Sequence, residues 1–118
     1  MTALPKRFDD VEALETFMSE PSPALVADLA KVDGDIMVLG VGGKMGPTLA
    51  RMARRAAPGR RVIGVARFSD PTLVASLERH GVECIACDLL DRSALEHLPN
   101  VGDGVRNLVF MAGHKFGA

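Results

Sequence analysis

Four glycines fall within seven residues, at Gly40, Gly42, Gly43 and Gly46. Their spacing implies chemistry more directly than anything else in the chain. An apolar run with strand character, Asp35 to Leu39, leads into them, and a helical pattern begins directly after them. Glycine permits a tight turn and lets the backbone approach a ligand that a Cβ would hold off. The helix that follows presents free N–H groups and the positive end of its dipole to the turn, an arrangement that suits a pyrophosphate. Gly40, Gly43 and Gly46 satisfy G-x-x-G-x-x-G. Gly40 and Gly42 also begin G-x-G-x-x-G, but Met45 stands where that frame needs its last glycine. Lys44, at the start of the helix, is expected to contribute its backbone N–H rather than its charge.

Other reactive side chains read more plainly. Cys84 and Cys87 form C-x-x-C inside the β-like run Val82 to Cys87, where side chains three apart point to opposite faces. No second cysteine pair completes a zinc site, so buried thiols are expected and no metal. Arg51, Arg54 and Arg55 lie mostly off the apolar stripe of their helix and read as a solvated face near its C-terminus, where the dipole favours cations.

The elements that must position the glycines follow in order. Asp9, with Glu12 three residues on, reads as the cap of a first helix whose face is Val11, Leu14, Phe17 and Met18. Ser22-Pro23 opens a second helix with Leu25, Val26 and Leu29 as its apolar side. After the glycine turn, Met45, Leu49, Met52, Ala53 and Ala56 mark a buried helical stripe. Arg61 to Ala66 is the second strand, and Asp70-Pro71 caps a helix with face Leu73, Val74 and Leu77. Val82 to Cys87 is the third strand, Asp91 to Leu98 a short helix, and Val105 to Met111 the fourth strand. Alternating strands and helices predict a partial Rossmann α/β fold. Its parallel sheet has about four strands in the order 3-2-1-4, flanked by helices, with two leading N-terminal helices. Residues 1–33 are expected to form a helical cover and 34–118 a truncated dinucleotide-binding domain. The glycine turn and the residues from Ala112 to Phe116 then face each other at the switch point, where ligands bind.

The motifs together resemble the N-terminal half of an extended short-chain dehydrogenase/reductase, the NAD(P)-dependent epimerase/dehydratase family. Gly40, Gly43 and Gly46 match its phosphate-binding glycines. Cys87-Asp88-Leu89 with Asp91 resembles its G-D-L-x-D segment, and Val109 to Lys115 resembles its strand-4 end, H-x-A-A or F-A-G-x-K. The resemblance covers residues 34–118. It implies that Asp88 and Leu89 contact adenine, that Ala112 and Gly113 lie beside the ribose and pyrophosphate, and that Lys115 reaches the ribose near the nicotinamide. His114 has only its location in favour of a role. At the end of strand 2 stand Ala66, Arg67 and Phe68, with no carboxylate before Asp70. A guanidinium there can pair with a 2′-phosphate and stack on adenine, which favours NADP over NAD, although NAD users also occur.

With 118 residues, 47% hydrophobic and 25% charged, the chain is long enough for one globular domain. A net charge of −1 gives no reason to expect nucleic acid or an anionic membrane as partner. No apolar run is long enough to span a bilayer and no signal-peptide core is present, so the expected compartment is cytoplasmic. The family's catalytic Tyr-x-x-x-Lys is missing, because the chain has no tyrosine. The expectation is a cofactor-binding portion of an epimerase, dehydratase or reductase acting on a nucleotide sugar or similar small molecule, truncated and not catalytically complete alone. Strand 4 is expected to be an open apolar edge (Val105, Leu108, Val109, Phe110) that leads to homo-oligomers. Three alternatives stand beside this reading: a non-catalytic NADP(H)-sensing module, an interaction domain, and a dihydrodipicolinate-reductase-like enzyme, whose G-G-R-M-G the run Gly42 to Gly46 resembles.

Overall fold

A computed structural model describes residues 4–113. Strands β1 (Asp35–Leu39), β2 (Val62–Ala66), β3 (Glu83–Ala86) and β4 (Val105–Phe110) form one parallel sheet in the order β3-β2-β1-β4. This is the order that the strand–helix alternation predicts. β1 is central, and its core residues Ile36, Met37 and Val38 are all buried, which is why the strand reads as a continuous apolar run. Helices α1 (Val11–Met18) and α2 (Pro23–Ala30) precede the sheet. α3 (Gly46–Ala56), α4 (Pro71–Arg79) and the short α5 (Arg92–Leu95) are the crossovers, and a 3₁₀ turn at Val101–Asp103 leads into β4.

Two apolar clusters lie on the two faces of the sheet. Ile36, Val38, Val62 and Val82 pack with Val41, with Ala50 of α3 and with Leu77 of α4. Met37, Ile63, Val65, Cys87 and Val105 pack under Leu95 and Leu98 at the α5 end. Cys84 belongs to the first face and Cys87 to the second, as their spacing predicts. Both are free thiols, and burial raises the pKa of Cys84, which makes it a poor nucleophile at neutral pH. Leu108 (63% exposed) and Phe110 (68%) stay open on that side, while Val105 is buried and Val109 half-buried.

The cap of α1 is Asp10 rather than Asp9: its carboxylate accepts from the Ala13 amide at 2.7 Å. Asp9 instead lies beside Arg7 at 3.4 Å on the surface. Ser22, Asp70 and Asp91 cap α2, α4 and α5 as expected. Met45, placed by periodicity on the buried stripe of α3, is 72% exposed, because it is the N-cap and lies on the turn rather than in the helix.

The arginine row of α3 is a solvated face only in part: Arg55 stays exposed, whereas Arg51 is buried. Arg51 is 9% exposed and donates to Glu12 Oε1 at 3.0 Å and Thr16 Oγ1 at 2.9 Å. Arg55 donates to the Thr16 carbonyl at 2.7 Å and the Ser19 hydroxyl at 2.9 Å. Arg54 bonds the Gly81 carbonyl at 3.2 Å. The guanidinium rows fasten α1 to α3 and α3 to the end of α4. Solvation is the usual state for such a row, and only the arrival of α1 from 39 residues away overrides it.

At the opposite end of the sheet, Asp35 opens β1 and accepts from the Arg61 backbone and Nε, both at 2.9 Å. These bonds to Arg61 hold the Asp35 carboxyl below its ordinary value of 3.8. A depressed carboxyl pKa contributes stability that is present above 3.8 and is lost as pH falls through the lowered folded value. Asp35→Asn is therefore expected to lower stability at neutral pH and to flatten the acid limb below pH 3.8. Urea melts from pH 2 to 7 check this, and an acid limb as steep in the variant as in the parent would refute it.

Candidate functional site

The turn between β1 and α3 assigns each glycine a separate task. Gly40 has φ +82°, and a Cβ there would stand 2.5 Å from the Ala112 backbone nitrogen. It is thus the point at which the ends of β1 and β4 touch. A Cβ on Gly46 would collide with the Val41 carbonyl, at 2.7 Å from its carbon, so this glycine lets α3 start against the sheet. Gly42 and Gly43 differ from these two. A Cβ on Gly42 would make an ordinary 3.5 Å contact with Ala66, and one on Gly43 would meet nothing nearer than the Gly40 carbonyl at 4.0 Å. Internal packing does not demand glycine at either position.

The turn is held from below by Val41, which is fully buried. Its amide and that of Gly40 both donate to the Val65 carbonyl, at 3.1 and 2.8 Å. Its side chain fills the space over Gly64, where a Cβ would come within 2.9 Å of Val41 Cγ1. Sequence reasoning missed this pair. The signal was a lone glycine inside β2, which marks a close approach from above. Above Val41, the amides of Gly42, Gly43, Lys44 and Met45 have no acceptor among the described residues. α3 also lacks the side-chain cap that Asp10, Ser22, Asp70 and Asp91 give the other helices. A run of open donors at an uncapped helix start is the chemistry of an anion site.

Gly42 and Gly43 among them border a cleft of about 500 Å³ across the carboxyl ends of the strands. Gly40, Gly42 and Gly43 line it from β1, Arg67 and Phe68 from β2, Asp88 and Leu89 from β3, and Ala112 and Gly113 from β4. The structure thus gathers most of the residues singled out by sequence onto one concave surface. Lys44, Met45 and Gly46 are not among its walls. Gly46 lies beneath the turn, and Lys44 borders a smaller cleft between α1, α3 and α4. Lys115 and His114 lie outside the described residues. Ala66, Ser69, Asp70, Leu73, Cys87, Leu90 and Met111 complete the lining.

Two features of the lining are electrostatic or strained. Asp70 Oδ1 accepts from the Thr72 amide at 2.9 Å and its hydroxyl at 2.6 Å, and these bonds lower its pKa. That oxygen is therefore engaged in capping α4, while Arg67 is an exposed cation on the same wall. Phe68 has φ +53°, a left-handed conformation that costs a non-glycine residue about 1 kcal/mol. Phe68 packs against the core cluster of Val38, Val41 and Val62. Asp88 makes an Asx turn to the Leu90 amide at 2.9 Å, and Asp91 caps α5 through the Ala94 amide at 3.2 Å. No group of three or more His, Cys, Asp or Glu among the described residues is placed to hold a metal.

The comparisons with known proteins bear on this geometry. No protein-family model matches the chain, and no curated protein sequence does. Among solved structures, the chain is similar to PlmKR1, a ketoreductase from the first module of phoslactomycin biosynthesis in Streptomyces sp. HK803. Identity is 26% and the TM-score 0.51, over 69% of this chain and 21% of that one. The chain therefore corresponds to about a fifth of that ketoreductase. This likeness supports the short-chain dehydrogenase/reductase type of fold, and the four-stranded 3-2-1-4 sheet agrees with it. It gives no support to the narrower epimerase/dehydratase assignment. No helix among the described residues is long and apolar enough to cross a membrane.

Proposed function

We propose that residues 34–118 are the dinucleotide-binding portion of a nicotinamide-dependent reductase, with NADP preferred to NAD. The observation that carries this is the pair Gly42–Gly43: glycine stands there although packing leaves room for a side chain, beneath amides without acceptors. A backbone kept bare over open donors fits a pyrophosphate, and the cleft continues on either side for ribose and base. In this reading the amides of Gly42 and Gly43, with the α3 dipole behind them, hold the pyrophosphate. Asp88 and Leu89 border the adenine, and Arg67 pairs with the 2′-phosphate, where NAD would need a free carboxylate. Ala112 and Gly113 confine the nicotinamide-side ribose, and Lys115 is assigned to the same ribose by resemblance alone.

A bound nicotinamide dinucleotide supplies a hydride acceptor or donor, and the residues of this chain would bind and orient it. Because the chain has no tyrosine, the proton-transferring Tyr-x-x-x-Lys is not among its residues. The proton-transfer step of the reaction is thus assigned to no residue of this chain. The resemblance to epimerases and dehydratases points to a nucleotide sugar, whereas the likeness to a ketoreductase favours reduction of a carbonyl. We take reduction as the better supported of the two.

Calorimetric titration with NADP⁺ and, separately, NAD⁺ tests the reading. NADP⁺ is expected to bind at least tenfold tighter, about 1.4 kcal/mol. Arg67→Ala is expected to abolish that preference while leaving NAD⁺ affinity unchanged. Equal binding of the two cofactors by the parent would remove Arg67 from the site, and binding of neither would remove the function.

A further inference from the structure

Helix α1 is held to the domain by polar bonds. None of its 8 residues, Val11 to Met18, is buried. Arg51 of α3 donates to Glu12 and Thr16, and Arg55 donates to the Thr16 carbonyl and the Ser19 hydroxyl. A helix this short is not stable alone in water, so its folding depends on that junction. His80, the C-cap of α4, enters the junction from the other side. Its Nε2 lies 3.8 Å from Glu12 Oε1, the oxygen that Arg51 holds at 3.0 Å. At that distance the ring makes no hydrogen bond to the carboxylate, and Nε2 is buried without a partner among the described residues.

Such a nitrogen suits a neutral ring better than a charged one. A proton on Nε2 would need an acceptor, and the carboxylate oxygen beside it is already taken by Arg51. Drawing Glu12 toward the ring would strip Arg51, which is buried and already has an unpartnered Nε. Charges approach His80 from every element around it: Glu12 and Glu15 from α1, Arg51 from α3, Lys44 from the glycine turn and Arg79 from α4 itself. Three cations against two carboxylates leave no spare negative charge for a fourth cation. Burial first, and then the Arg51 charge, hold the His80 pKa below its ordinary 6.5. A lowered histidine pKa gives stability that is whole above 6.5 and is lost as pH falls through the folded value. We propose that His80 is the pH-sensitive member of this junction: neutral, it leaves Glu12 and Arg51 to hold α1 seated, and protonated, it loosens that hold and releases the helix. The device is independent of the dinucleotide reading, because Glu12, Arg51 and His80 line no part of the cleft at the strand ends.

Hydrogen exchange of the whole chain, followed by NMR from about pH 7.5 to about pH 5 and corrected for the intrinsic rate, tests this. Protection of the α1 amides is expected to fall at least about threefold across the His80 titration. The imidazole resonance of His80, assigned through its bonds to the backbone, is expected to titrate below 6.5. In His80→Gln, whose side chain takes no proton, α1 protection is expected to stay level over the same range. A His80 midpoint at or above 6.5 overturns the proposal. So does α1 protection that stays level in the parent, or that falls equally in the variant. The two readings on the parent decide the outcome even where the variant does not fold.

Discussion

Gly46→Ala is expected to destabilise the protein by about 3 kcal/mol, the upper part of the range for overpacking a tight site. Two effects compete. Alanine favours a helix interior over glycine by up to about 1 kcal/mol. Against that, the new methyl would overlap the Val41 carbonyl, a backbone group with no rotamer to move into. Val41 itself is fully buried and locked over Gly64, and its amide is bonded to Val65, so the turn cannot retreat. α3 would have to shift away from the sheet, opening the cluster that Ala50 completes with Val38 and Val62. The backbone clash outweighs the propensity gain. Urea denaturation followed by circular dichroism measures the difference, and a variant within 0.5 kcal/mol of the parent, roughly the scatter for neutral surface changes, would show that the turn yields more than its contacts imply.

Gly43→Val is expected to do the reverse: stability unchanged, and NADP⁺ affinity reduced at least tenfold. The position is not left-handed, and its Cβ would find only the Gly40 carbonyl at 4.0 Å, so the fold has no reason to reject a side chain. Gly43 lines the cleft, so its valine methyls would take up space beside the open amides of Gly42 and Gly43. A pyrophosphate held there loses contact with those donors, and each charge-assisted bond lost counts for about 1.5–3 kcal/mol. Thermal melting beside calorimetry separates the two quantities. A Gly43→Val variant that binds NADP⁺ like the parent would mean that the ligand does not approach this backbone. Taken together, the two variants divide one glycine motif into an architectural residue and a ligand-facing one, a division that spacing alone does not make.

The N-terminal region shows the limit of local pattern most clearly. The sequence pattern was enough to place α1 and to mark Val11, Leu14 and Met18 as one stripe, because helix periodicity is a property of neighbouring residues. Which side of that helix meets the domain depends on Arg51 and Arg55, residues far along the chain whose local pattern reads as solvent-facing. The seating of α1 on α3 is a tertiary event. Asp9 and Asp10 show the same thing on a smaller scale: both are capping residues by type, and only the backbone of the last extended residue, Asp10 with φ −153°, selects between them.

The sequence by itself determined the alternation of strands and helices, and from it the parallel order β3-β2-β1-β4, because a right-handed crossover leaves few other arrangements. It also determined that a glycine turn stands at the end of the central strand, since no other residue type tolerates φ +82° with a neighbouring backbone so close. Only the tertiary structure decided which glycines serve packing and which leave space, because that depends on Ala112 and Ala66, brought near by strands distant in sequence, and on how the turn folds Gly46 onto the Val41 carbonyl. It likewise decided that Asp70 Oδ1 is engaged in a helix cap and that Arg67 shares the cleft with Asp88 and Gly113. Local chemistry fixes the elements through short-range sterics and periodicity, whereas the roles of individual side chains are set by long-range neighbours.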